Sequence, residues 1–250
     1  MVRIVKKVLV AIAWLLLWQL ASHLVALPVL LPSPIATVRT MAALWGTASF
    51  WSSLSISFVR VAFGMAAAIT LGVLIAVLCA ASSWAEAFLS PLRSVIRSTP
   101  ITSIIILVLL WIRVDLVPVF IVFLTVLPII WQTVQQGIIQ TDKDLLEMGR
   151  VYAFSRTKLL RKIYVPSVLP YFYTACATGL GFAWKASIAA EVIARPIHSI
   201  GARLQDAKVY LLTEHLFAWT ATVILISILL ETALKAWMRR QTRHGGGAAA

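Results

Sequence analysis

Acidic residues are scarce in this sequence. Nine Asp and Glu stand against 22 Lys and Arg in 250 residues, and charged residues of both signs make up only 12% of the chain. A soluble domain of this length needs far more polar side chains to cover its surface. With 61% hydrophobic residues and a mean hydropathy of +0.93, the natural solvent of the chain is lipid. Cysteine is nearly absent too: Cys79 and Cys176 lie in apolar runs far apart, which argues against a structural disulfide or a metal site. His23, His198 and His215 stand alone, without ligand partners at metal spacing. No Gly-x-x-x-x-Gly-Lys-Ser/Thr phosphate loop occurs, so ATP hydrolysis by this chain is excluded. Nor is there a Gly-x-Ser-x-Gly elbow, a His-Glu-x-x-His pair or paired aspartates in an apolar run, which speaks against an intramembrane enzyme. No catalytic residue, metal or cofactor is expected.

What the sequence has in abundance is long apolar runs. A bilayer core takes roughly 20 mostly apolar residues per helix. The runs predict an all-α membrane protein of six transmembrane helices: Val8 to Val25; Val61 to Ala81, with its helix starting near Ser55; Ser98 to Ile112; Leu116 to Trp131, running on to Gly137 and bent at Pro128; Tyr171 to Ala194; and Leu216 to Lys235. The third is short, and Pro100 suits the first turn of a helix. The N-terminal run lacks a clean small-residue cleavage site and reads as a retained first helix. The chain divides into a first helix and outer loop (1–54) and a five-helix core (55–236). A polar loop (137–170) lies within the core, and a flexible tail (241–250) ends in the low-complexity "GGGAAA".

Basic residues then set the orientation. With the N-terminus cytoplasmic, fifteen fall inside: Arg3, Lys6, Lys7, Arg93, Arg97, Lys143, Arg150, Arg156, Lys158, Arg161, Lys162, Lys235, Arg239, Arg240 and Arg243. Five fall outside, at Arg39, Arg113, Arg195, Arg203 and Lys208, while Arg60 and Lys185 sit at membrane depth. This bias puts both termini in the cytoplasm. It also explains the net charge of +13 without nucleic acid, for which no motif is present.

The most polar stretch, Asp142 to Lys162, carries three acidic and six basic residues and falls in the largest cytoplasmic loop. Thr141-Asp-Lys-Asp144 reads as a capping box opening a helix on which Leu145, Met148 and Tyr152 share a face. Ser155 can cap a second short helix, which Pro166 and Pro170 would end. The pattern alone fits either an amphipathic hairpin resting on lipid headgroups or one docked on a protein.

Glu147, Ala153 six residues on, and Ile163-Tyr-Val-Pro166 resemble the EAA loop of ABC importer permeases in spacing throughout. The departures are Met148-Gly149 for the usual Ala-Ala, Ala153 for Gly, and Val165 for Leu. A left-handed turn at Ala153 would strain an alanine by about 1 kcal/mol or more. Beyond the loop, "LPSPIATV", "SFVRVAFG", "LSPLRSVIRSTP" and "GLGFAWKASIAAEVI" are similar to the nitrate/sulfonate/taurine group of these permeases. The resemblance implies a type I permease bundle in a bacterial inner membrane, carrying a small solute and working with three kinds of partner. These are a separate ATPase, an external substrate-binding protein and, since one chain carries one such loop, a second permease copy in a homodimer. It implies that Glu147, Gly149, Ala153, Phe154, Ser155 and Pro166 belong to the ATPase-coupling segment.

Three charges at membrane depth remain. An ion there costs at least about 2.5 kcal/mol and usually faces a bundle interior or cavity. Arg60, Lys185 and Glu191 are therefore candidates for the translocation path. Arg60 near the outer end of its helix could equally snorkel or meet Glu191, and Lys185 could be structural. Lys185 and Glu191, six residues apart, do not share a helix face. The competing class is a secondary transporter or channel without an ATPase, for which the inverted repeats are not evident.

Overall fold

A computed structural model describes the backbone of residues 2–245 and the side chains within it, apart from those of 2–4, 7, 235, 237 and 239–245. Six of the cations counted toward the inside, Arg3, Lys7, Lys235, Arg239, Arg240 and Arg243, therefore lie outside the described side chains. The helices are α1 (Val2–Val25), α2 (Pro34–Trp45), α3 (Ala48–Ala81), α4 (Ser83–Ser98), α5 (Ile101–Val108), α6 (Val117–Ile139), α7 (Lys143–Val151), α8 (Arg156–Leu159), α9 (Val165–Ala194), α10 (Ile200–Val209) and α11 (Thr213–Gly245). One π-helical turn, Leu160–Tyr164, joins α8 to α9, and no strand occurs among the described residues.

Polar caps start most of the helices. Ser33, Thr47, Ser82, Ser155 and Ser199 each accept a backbone N–H from the first turn that follows, with Pro34 preset for the first position of α2. The expected second, fifth and sixth helices all begin earlier than their apolar runs, at Ala48, Val165 and Thr213. Helices extend past the hydrocarbon into polar flanks, where hydropathy gives no signal. α11 stays helical to Gly245, into the stretch expected as a flexible tail, and residues 246–250 lie outside the described residues.

The third expected span is different. Thr99 is extended before Pro100, which disfavours helix at the preceding residue, so α4 stops there and α5 restarts at a 98° angle. α5 has eight residues, about 12 Å of helix against a hydrocarbon core of about 30 Å. The loop expected before it is the helix α4. Arg93 bonds Glu86 at 2.8 Å and Gln135 of α6 at 3.0 Å, and stacks on the Trp131 ring 4.8 Å away. Among the described residues, four helices qualify as membrane spans by length and apolar content, and α4 with α5 makes a fifth if the bent pair counts as one. α9 is long enough at 30 residues, but Lys185 and Glu191 lower its hydropathy.

α3, α6 and α9 form the centre of the bundle. The buried face of α3 runs Ser57, Arg60, Gly64, Ala68, Gly72, Ala76, a small-residue stripe that lets α6 approach closely. A Cβ on Gly64 would stand 2.6 Å from the Val119 carbonyl and 2.7 Å from Val122 Cβ, and one on Gly72 3.0 Å from Ile130 Cβ. From the other side Gly179 of α9 admits Val126, leaving a Cβ only 3.0 Å from its methyl. Trp131 and Trp184 fill the remaining interior. α1 stands apart, held to the rest by Trp18 Nε1 donating to the Pro32 carbonyl, Ser22 Oγ donating to the Leu31 carbonyl, and the Trp18 ring tilted against Phe217 at 5.9 Å.

Gly64→Ala should therefore destabilise by about 1–3 kcal/mol, since the first obstacle is backbone and cannot rotate away. Gly46→Ala, which meets nothing closer than 3.4 Å, serves as the control. Melting of the detergent-purified protein measures both. An unchanged transition for Gly64→Ala would mean that α3 and α6 separate freely.

Candidate functional site

α7 and α8 form a tight hairpin. The cap of α7 is Asp142, whose Oδ1 accepts from Asp144 N at 2.9 Å, rather than Thr141, whose hydroxyl donates to the Gly137 carbonyl. At the far end Phe154 N donates to Gly149 O at 2.9 Å and Ala153 N to Arg150 O at 3.0 Å, and Ala153 takes φ = 47°. This is a glycine-type C-terminal motif built on an alanine. Ser155 Oγ then accepts from Lys158 N, opening α8, and Lys158 Nζ lies 4.0 Å over the Phe154 ring.

Gly149 is buried where the two short helices cross: a Cβ there would meet Leu159 at 2.8 Å and Ile163 at 3.1 Å. Buried there, it shapes the hairpin from inside. Outward, the hairpin shows Leu145, Met148, Val151 and Tyr152, the last two 82% and 69% exposed, beside the exposed Glu147. Glu147 has no ion pair among the described residues. Val151, not picked out by periodicity, is the most exposed of this ridge.

Pro166 and Pro170 do not end the second helix, as their sequence positions suggested. Val165 N donates to Leu160 O across the π turn, and the chain passes straight into α9 with Pro166 in its first turn. A wider turn absorbs the missing proline N–H without breaking the rod. The hairpin is thus rigidly continuous with the 30-residue α9.

At the opposite end of α9 the charges expected along a path are enclosed. Glu191 is 0% exposed. Its Oε2 accepts from Ser57 Oγ at 2.9 Å and Gly201 N at 3.1 Å, and its Oε1 faces Arg60 Nη1 at 3.4 Å. Ser57 Oγ in turn accepts from Ile200 N at 3.1 Å, so the start of α10 delivers two backbone donors to the cluster. Arg60 Nη2 also reaches Asp115 Oδ1 at 3.4 Å and the Ile197 carbonyl at 3.3 Å. Gly201 is required: a Cβ would sit 2.4 Å from Glu191 Cβ. Arg60 therefore meets Glu191 instead of snorkelling, and both lock α3, α9, α10 and the turn before α6 together. Neither is among the residues lining the cavities of about 460, 490 and 220 Å³.

Lys185 points the other way, exposed on α9. It lines a cleft of about 220 Å³ with Thr178, Phe182 and Glu231 of α11. Gly181 makes room for that carboxylate, since a Cβ would lie 2.9 Å from Glu231 Oε1. Thr178 and Phe182 are shared with a second cavity of about 460 Å³, which adds Thr125, Gln132 and Arg97 from α6 and α4. Arg97 bonds Gln132 across it. A ribbon of polar groups thus runs along one face of the bundle. Glu231 was not singled out from sequence because its helix reads as a plain apolar span, and Arg97 was counted in a cytoplasmic loop.

Residues 68–244 match the family described as "Binding-protein-dependent transport system inner membrane component". The chain is similar to the taurine transport system permease protein of Escherichia coli K12, 24% identical over 235 residues, 92% of this chain and 85% of the relative. It is 29% identical over 200 residues to the bicarbonate transport system permease protein of Synechococcus elongatus, 76% of this chain and 68% of the relative. It is also 30% identical over 239 residues to an E. coli K12 protein named for aliphatic sulfonates transport, 92% and 88% of the two chains. Permeases of this family work with an ATPase and a substrate-binding protein. The chain belongs to the binding-protein-dependent transport system inner-membrane components and is a multi-pass permease subunit of an ABC importer.

Proposed function

We propose that this permease acts as a homodimer in a bacterial inner membrane, with both termini cytoplasmic, and imports a small anionic solute. The relatives named for taurine, bicarbonate and sulfonates support that class of cargo. The path follows the polar face of α9 from Lys185 past Thr178 to Gln132 and Arg97. Polar groups turned to lipid are costly, so such a ribbon calls for a second copy across a wet seam. The observation that carries the coupling reading is the hairpin ridge of Leu145, Met148, Val151 and Tyr152 beside Glu147, an apolar stripe with a charged rim suited to a groove on the ATPase. Glu147, Ala153, Phe154 and Ser155 define that surface, with Gly149 beneath it and Pro166 at the joint to α9. Arg60 and Glu191 brace the outer ends of the helices. The chain's own residues supply no chemistry; ATP is hydrolysed on the partner.

Three outcomes test this reading. A cysteine replacing Gln205 on α10 should react with an impermeant reagent on intact cells; reaction only after permeabilisation inverts the topology. Glu147→Lys should leave the permease inserted yet abolish ATPase association or uncouple hydrolysis from uptake, while Ala153→Gly, which relieves about 1 kcal/mol of left-handed strain, should couple normally and melt slightly higher. A Glu147→Lys complex that assembles and transports like wild type refutes the coupling surface. Lys185→Met should insert and melt much as wild type while uptake of an anionic solute drops about tenfold or more, because an attractive charge has left the path. Altered melting with unchanged uptake per folded molecule would take Lys185 off the path.

A further inference from the structure

On the side of the bundle away from the polar ribbon, a groove of about 490 Å³ opens between α3, α6 and the π turn leading into α9. Its walls include Val73, Val77, Ile138, Val168 and Leu169, and the one polar side chain among its lining is Tyr164, at the hairpin end. From Val73 to Ala81 the groove follows α3 for about 12 Å, close to the depth of one leaflet of a core about 30 Å thick. Val77 is 50% exposed along it. A helical segment of that length, about 10 Å across, would occupy roughly twice the volume, whereas a single extended hydrocarbon chain matches both length and lining. At the mouth the chemistry changes. Arg161 lies one turn before Tyr164 and Val165, on the same rim, with Lys162 beside it. Both are exposed, neither has a carboxylate partner among the described residues, and no acidic residue occurs between Glu147 and Glu191.

We propose that this groove holds an acyl chain of an anionic phospholipid whose phosphate is bound by Arg161 and Lys162. The inference rests on the orientation proposed above only for which leaflet supplies the lipid. A seated chain fills the space between the span helices and the joint through which the hairpin meets α9, so the lipid braces that joint.

The full-length permease, purified in mild detergent, would be offered phosphatidylglycerol and phosphatidylcholine at equal concentration and examined by native mass spectrometry. A phosphatidylglycerol carrying a photoreactive acyl chain then maps the contact. Preferential retention of phosphatidylglycerol is expected, with crosslinks in α3 and the start of α9. Val77→Trp, which fills the groove, should lower retention several-fold, and the double variant Arg161→Gln with Lys162→Gln should remove the preference over phosphatidylcholine. Should Val77→Trp fail to fold, the double variant decides, since both side chains are exposed. Equal retention of the two lipids overturns the proposal, as do crosslinks spread evenly over all lipid-facing helices. So does a disulfide that an added oxidant forms between the introduced thiols of two copies of a Val77→Cys variant. None of these readouts needs ATP or transport, so the importer reading stands or falls separately.

Discussion

Helices in a bilayer gain little by hiding apolar surface from one another, because lipid tails are as apolar as leucine. What remains is contact at short range, and here it depends on glycines. Gly64 and Gly72 bring α3 onto α6, and Gly179 brings α9 onto α6 from the other side. With the three backbones drawn together, Trp131 and Trp184 can be enclosed with almost no exposure. The same economy places the polar groups. Once the inner faces are committed to small residues, a long charged side chain has room only at the ends of the bundle or on its outside.

The outer end shows what such a charge needs. A buried ion pair contributes little net stability by itself, but losing one partner strands the other at a cost of about 3–5 kcal/mol. Glu191 is answered by a guanidinium, a hydroxyl and a backbone N–H at once, and Gly201 is what allows α10 to come near enough to donate. Arg60 spends its second nitrogen on Asp115 and the Ile197 carbonyl. The cluster is closed, so it behaves as a joint among four elements. Lys185, six residues before Glu191 on the same helix but turned outward, has no such enclosure and shares its cleft with Glu231.

Much of this was legible in the residues. Apolar runs located α1, α3, α6, α9 and α11, and the spacing from Glu147 to Pro166 located the hairpin. An alanine at the position usually held by glycine foretold a strained turn, and Ala153 indeed has φ = 47°. The misses share a cause: hydropathy reports what surrounds a segment, not where its backbone hydrogen bonds run. It ran the third span from Ser98 to Ile112, although Pro100 forces a corner before α5 and the helix stops at Val108. It read α4 as a loop because nearly half its residues are polar, although two of them, Arg93 and Glu86, turn toward Gln135 and Arg93 also toward Trp131. Sequence position marks Pro166 and Pro170 as terminators, whereas α9 holds both, Pro166 in its first turn after the π turn and Pro170 inside the helix. Depth alone grouped Arg60 and Glu191 with Lys185, and only the third dimension separates an enclosed ion pair from an exposed lysine.

That separation bears on how force could cross the molecule. The hairpin is stiffened by the Gly149 crossing and the Phe154–Lys158 stack, and its second helix enters α9 without a hinge residue. α9 spans about 45 Å at 1.5 Å per residue, so a push on the hairpin acts on a single lever. Its far end is pinned by Glu191, and Lys185 lies about 9 Å short of that pin. A lever pinned at one end and displaced at the other moves least near the pin. The ribbon from Thr178 to Gln132 and Arg97, nearer the hairpin, should therefore shift most when the hairpin moves, while the neighbourhood of Lys185 holds its shape. On the proposed reading, the charge that meets solute stands where the wall stays still, and the part of the proposed path that opens and closes lies near the hairpin that would drive it.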